Sequence, residues 1–272
     1  MSTSNTIMKG RLFGDPYRAI DLWEFRRELT LVKRLINIAE KCVDAKETHS
    51  ADTFEGVCFY IARSIIGYSK GAFDNLVLGY FDATEMIIRT IIENRVILDI
   101  IFNDEKQLLW KYYLVQSYRN SLIQTDRSIS SSDRFNQLCE ELEIAPEFLQ
   151  PRGNRKPYIA LNYGWTYMLD TIRPEKRFTF DGICDAAEGQ RQNYQDFQWM
   201  SKSSHGTSYF EKVTHYTGTE RIMSLFSSIY INLYLLITMY CDGIWGNDFD
   251  EVTDEIETIF YHFFEVYDQI YK

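Results

Sequence analysis

Proline and glycine are scarce in this chain of 272 residues, with five and 14 occurrences. So few turn-formers argue against many short strands and favour long helices. The cysteines, Cys42, Cys58, Cys139, Cys184 and Cys241, are odd in number and show no CxxC spacing. That excludes a disulfide framework or a zinc ribbon and fits reduced thiols in a cytoplasmic protein. Met1 to Lys9 is polar and has no apolar core, so a secretory leader is not expected. Positive charge is also in short supply: the net charge of −10 excludes a surface that coats nucleic acid throughout, while leaving room for a local basic patch. GxGxxG, Walker, HExxH and GxSxG motifs are all missing. His49, His205, His215 and His262 are scattered, and Asp248, Asp250 and Asp254 lack the glycine of a calcium loop. No cofactor and no metal are therefore expected.

What is present reads as helix almost throughout. Hydrophobic residues make up 45% of the chain and aromatic residues 15%, enough for a heavily packed interior. Asp15-Pro16 has the form of a helix start, and Ile20, Trp23, Leu31, Leu35, Ile38 and Cys42 then recur at three-to-four spacing to about Ala45. A second helix is expected from about Phe54 to Lys70, and a long apolar one from Ala72 to Phe102, with Gly71 either breaking the helix between them or merely weakening it. Asn103-Asp104 caps the next, which carries Leu108, Tyr112, Val115 and Leu122. A shorter helix spans Asp133 to Leu142. Residues 145–181 hold all but one of the prolines and read as an irregular protrusion or lid. Helical pattern returns from Ile183 to Ser204, and an acidic amphipathic helix is expected from Asp248 to Tyr271. No alternating apolar pattern supports a sheet. The expected architecture is an all-α multi-helix bundle, with residues 1–14 as a flexible tail and 15–272 as one helical domain.

Between Ile222 and Cys241 the chain carries no charge, which meets the length of a membrane span. Ser224, Ser227, Ser228, Asn232 and Thr238 interrupt it, and their polar groups would need partners in hydrocarbon. A central buried helix is the preferred reading.

The costliest feature is a polar stripe. Glu85, Arg89 and Glu93 lie at helical spacing inside the apolar segment Thr84 to Phe102, within about 80° of arc. Each carboxylate is one turn from Arg89 and can reach it. The stripe is either a buried ion-pair network that fixes helix register, or a site where Arg89 meets an anion or a Glu works as acid or base. A second polar arc lies on the helix of about Ile183 to Ser204: Arg191, Tyr194, Gln198, Ser201 and His205. Ser201 and His205 are one turn apart. His205 sits before Gly206 at the helix end, where the dipole favours a protonated imidazole, the usual proton shuttle near neutral pH. The plainer alternative is a helix-terminal histidine capping its own carbonyls.

Arg89-Thr-Ile-Ile-Glu93, followed by Tyr194-Gln-Asp-Phe-Gln-Trp-Met-Ser-Lys-Ser-Ser-His205-Gly, resembles the bacterial domain of unknown function family 5677, whose members are mostly helical. The resemblance spans about Ser64 to Cys241. It implies that Arg89, Glu93, Ser201 and His205 form one site. From the two polar arcs themselves, these four are expected to be the catalytic residues and Glu85, Arg191, Tyr194 and Gln198 the ligand contacts. A more distant analogy is with the HEPN group of helical prokaryotic ribonuclease toxins, which carry an Arg and a His a few residues apart on one helix. Here the nearest preceding arginine on that helix is Arg191, so Arg89 would have to come from another helix.

Partner chemistry is concentrated in the irregular middle. Between Gln150 and Arg177, Arg152, Arg155, Lys156, Arg173, Lys176 and Arg177 face only Asp170 and Glu175, a local +4 in a chain of −10. Tyr158, Tyr163 and Trp165 interleave with them, as a base-stacking RNA surface would show. The alternative is a solvated loop whose cations pair with the acidic body. Two functional expectations follow. One is an RNA-directed hydrolase, an effector of antiphage defence. The other is a non-catalytic helical protein that binds a ligand, a protein partner or a second copy of itself.

Overall fold

The computed structural model describes residues 9–11, 19–21, 25–45, 50–125, 133–169, 171–186, 195, 197–198, 218–240, 254, 256–259 and 261. The chain is all-α, as expected. The helices are α1 (Arg26–Asp44), α2 (Phe54–Val77), α3 (Phe81–Phe102), α4 (Leu109–Gln124), α5 (Asp133–Glu141), α6 (Pro146–Leu149), α7 (Phe180–Ala186) and α8 (Gly218–Tyr240). Three 3₁₀ turns, Tyr158–Ala160, Gly164–Thr166 and Pro174–Lys176, fill the segment between α6 and α7.

Two boundaries differ from expectation, each for a local reason. The first helix begins at Arg26, not at Asp15. Ala19–Asp21 (β2) pairs antiparallel with Lys9–Arg11 (β1), with Gly10 opposite Ile20, so the ladder takes the backbone groups a helix would have used. Of the two alternatives at Gly71, a break or a mere weakening, the second holds: the helix runs on through it, because a single glycine only weakens a helix. The break falls instead at Leu78-Gly79-Tyr80. The Tyr80 N–H donates to the Asn75 carbonyl at 2.8 Å and the Gly79 N–H to that of Leu76 at 3.0 Å. This is a Schellman stop, and Gly79, at φ 80°, supplies the left-handed residue it needs. Helix α5 ends by the same pattern, Ile144 to Cys139 at 3.0 Å and Glu143 to Glu140 at 3.1 Å, but with Glu143 at φ 53°. Glu143→Gly is therefore expected to stabilise the chain by about 0.5–1 kcal/mol, read as a higher urea midpoint.

The chain forms two compact units. The first comprises residues 1–48, 61–95 and 195–272. In it α1 packs on α8. Val32, Leu35, Ala39 and Cys42 on α1, and Met223, Phe226, Ile229, Leu233 and Leu236 on α8, are closed off from solvent. Each large side chain buried this way contributes about 1.5–3 kcal/mol. Phe25, just before α1, lies 6.1 Å from Phe226. The apolar window Arg221–Tyr240 is long and apolar enough to cross a membrane by length and composition, and over half of it is buried within the protein. Its central Asn232 is satisfied there: it donates to the Ser228 carbonyl at 2.7 Å and accepts from Arg95.

The second unit comprises residues 49–60 and 96–194. Asp104 caps α4 as expected: its carboxylate accepts from the N–H groups of Leu108 at 2.6 Å and Leu109 at 2.7 Å. The Pro-rich segment is irregular as expected, but it is not a loose lid. Phe148, Ile159, Trp165 and Phe180 are buried, and Tyr112 on α4 meets Phe148 and Tyr167 with ring centroids 5.0 and 5.3 Å away. The two 3₁₀ turns approach so closely that a Cβ on Gly164 would lie 1.8 Å from the Tyr158 carbonyl oxygen.

Candidate functional site

The stripe on α3 divides in two. Glu85 is buried at 2% exposure, but its partner is not Arg89. The Arg221 Nε donates to its Oε1 at 2.7 Å, and the same guanidinium binds Asp82, one turn earlier on α3. The expected pairing of Glu85 with Arg89 is thus corrected. Asp82 and Glu85 are three residues apart on one helix face, so together they offer a single cation two carboxylates. Burial works against the charge of Arg221, but the attraction of Glu85 and Asp82 outweighs it and raises its pKa above the ordinary guanidinium value.

Arg89 is half-buried and makes a different contact. Its guanidinium carbon lies 4.4 Å from the centroid of the Phe197 ring, a cation–π arrangement. The Arg89 Nε is closed off from solvent and has no hydrogen-bond acceptor. Among the described residues no ion pair joins Arg89 to Glu85 or to Glu93, which corrects the expectation of two flanking carboxylates. Glu93 is partly buried one turn further on and has contacts of its own. Gln198 follows Phe197 and is exposed. Arg191, Tyr194, Ser201 and His205 lie outside the described residues.

Sequence reasoning passed over two residues of this region. Arg95, at 1% exposure, is the largest fully buried side chain among the described residues, and its Nε donates to the Asn232 Oδ1 at 2.9 Å. It falls about 80° from Glu85 on the side away from Arg89, on the stripe of Ile88, Ile91 and Ile92. A charge amid three isoleucines was the visible signal. Arg221 is the other. It stands in the first turn of α8, where the helix dipole disfavours a cation, and a cation placed there calls for carboxylates nearby.

The basic segment also divides. Arg173 donates to Asp185 at 2.6 Å, and Lys176 lies 2.8 and 2.7 Å from Asp181 and Asp185. These bonds raise both cations' pKa values, Arg173 through Asp185 and Lys176 through Asp181 and then Asp185. The Arg177 Nε is sealed from solvent without an acceptor. Arg152 and Arg155 exchange backbone hydrogen bonds at 3.1 Å across the turn Gly153-Asn154, and Arg155 and Lys156 are exposed. Among the described residues Arg152, Arg155 and Lys156 form no ion pair. The aromatic residues are not laid out for stacking bases. Trp165 is buried, and Tyr158 lies between the Arg152 guanidinium at 3.7 Å and the Tyr167 ring at 4.7 Å. Tyr163 leans on Phe180 at 6.3 Å.

Among the described residues no cluster of three or more His, Cys, Asp or Glu side chains could hold a metal ion. Comparison of the chain with family models, with curated proteins and with solved structures gives no match.

Proposed function

We propose that this chain is a non-catalytic helical protein that binds a ligand or a partner, and that its Arg/Glu stripe is in part a structural ion-pair network. The observation that carries this reading is the ion pair of the buried Glu85 with the partly buried Arg221. A carboxylate already bonded to a guanidinium at 2.7 Å is not poised as a general base, whereas it does fix the register of the helices it joins. Arg95 and Asn232 support the same reading by making a second buried polar link between α3 and α8. We place the protein in the cytoplasm, supported by the free thiols of Cys42, Cys58, Cys139 and Cys184.

A second reading is an RNA-directed hydrolase acting in antiphage defence, and one observation favours it. Arg155 and Lys156 are exposed at the hairpin turn with no ion pair among the described residues, available to phosphates, while the Arg152 guanidinium is held by the Lys156 carbonyl and the Tyr158 ring. In that reading His205 is the general acid or base beside Ser201 and Glu93, and Arg89 is the clamp on phosphate charge. The resemblance to family 5677 accommodates either. Incubating the purified full chain with total RNA separates them. The expected result is an unchanged RNA size profile. Degradation that disappears in His205→Ala would overturn the non-catalytic reading.

A further inference from the structure

We infer that Arg89, seated on the Phe197 ring, is a binding site for an oxyanion, the phosphate or carboxylate group of a small ligand. The inference rests on the ligand-binding reading above and names the chemical class of that ligand. A guanidinium in the middle of an apolar helix is costly to desolvate unless its donors are satisfied. The other cations of this region meet that condition, the partly buried Arg221 through Glu85 and Asp82 and the buried Arg95 through Asn232. Arg89 does not. Its Nε–H is sealed from solvent with no acceptor, and its one described partner is an aromatic ring.

The arrangement suits an anion in three respects. The Phe197 ring holds the guanidinium at 4.4 Å and limits the orientations of a side chain that would otherwise sample many. Among the described residues no hydrogen bond or ion pair occupies the Nη edge of the half-buried Arg89, and its two parallel N–H groups match the two oxygens of a carboxylate or phosphate. The carboxylate one turn back, Glu85, is bonded to Arg221 and forms no ion pair with Arg89 among the described residues. Two oxygens of the bound group would accept from the Nη1 and Nη2 donors and offset the guanidinium charge, while the Nε–H stays covered by the protein, with the ring excluding water from one face.

The test uses the full chain and two probes, inorganic phosphate and acetate. Each is raised stepwise at constant ionic strength against chloride while the melting temperature is followed. Both ions also stabilise proteins without binding, so the informative quantity is the difference between the wild type and Arg89→Gln. At about tenfold excess over half-saturation, the melting temperature of the wild type is expected to rise by roughly 3–5 °C more than that of Arg89→Gln with at least one of the anions. Phosphate alone giving the gain assigns a phosphate-bearing ligand, and acetate alone a carboxylate. Parallel curves for both proteins with both anions would overturn the site. Should Arg89→Gln fail to fold, Arg89→Lys keeps the charge and loses the planar fork. Its gain is expected to fall by at least half, and an undiminished gain would equally overturn the proposal. Loss of the anion site leaves the Glu85–Arg221 network standing, because that network is read from the stability of Glu85 variants and not from phosphate.

Discussion

Glu85→Ala is expected to destabilise the chain by about 3–5 kcal/mol. The magnitude does not come from the strength of the ion pair, since a buried pair is close to break-even against well-packed apolar residues. It comes from what remains. Arg221 would keep its burial and lose the acceptor at 2.7 Å on its Nε, with only the more exposed Asp82 to hold it. Asp82 is 42% exposed, and a carboxylate so open to water compensates little of that loss. The position of Arg221 in the first turn of α8 adds to the penalty, because the helix dipole also disfavours an uncompensated cation there. The pairing leads to a sharper expectation. Glu85→Met combined with Arg221→Met should recover most of the loss, because both desolvated charges are gone and the volume is filled. Urea denaturation of the single and double variants measures this directly. Additive losses would mean that the two side chains do not act as a pair, and the register-lock reading would fall with them.

The first unit was legible in sequence to the extent that periodicity reports burial. The apolar face of α1 and the uninterrupted run of α8 both form the core that their spacing implied. The all-α architecture followed from the shortage of turn-formers and the absence of alternation. Pairing of charges was less legible, because a helical wheel displays only partners within one helix. Glu85 and Arg89 are neighbours on α3, yet Glu85 bonds to Arg221, 136 residues further along the chain. The Leu78-Gly79-Tyr80 stop was overlooked for a similar reason. Gly71 and Gly79 look alike as letters, and they differ in the hydrogen bonds that the following residues make with the preceding turn. The basic segment shows the same limit. Its charge count was correct, but Asp185, eight residues past Arg177, binds two of its cations, and Trp165 is turned into the interior.

That inward turn rests on one side chain, and the second large effect is expected there. Gln116 on α4 is buried, and it bridges the two ends of a 3₁₀ connection. Its Nε2 donates to the Leu161 carbonyl at 2.5 Å, and its Oε1 accepts from the Trp165 N–H at 2.8 Å. Gln116→Leu fills the volume and removes both bonds. The Leu161 carbonyl keeps a second donor, the Gly164 N–H at 3.1 Å, so it is not orphaned. The Trp165 N–H, in contrast, would be buried with its acceptor gone. One lost bond and one unsatisfied donor together cost about 2–4 kcal/mol. Local opening around Trp165 should become correspondingly easier, with its amide exchanging about two orders of magnitude faster. Gln116→Glu separates the two bonds. Its carboxylate still accepts from Trp165 but places negative charge against the Leu161 oxygen, which raises its pKa above that of a free carboxyl. The folded form of that variant therefore binds a proton more readily than the unfolded chain. Its deficit should be greatest at neutral pH and should shrink as pH falls through the raised pKa, when the protonated oxygen donates to Leu161. A pH-independent deficit would show that the Leu161 bond contributes nothing.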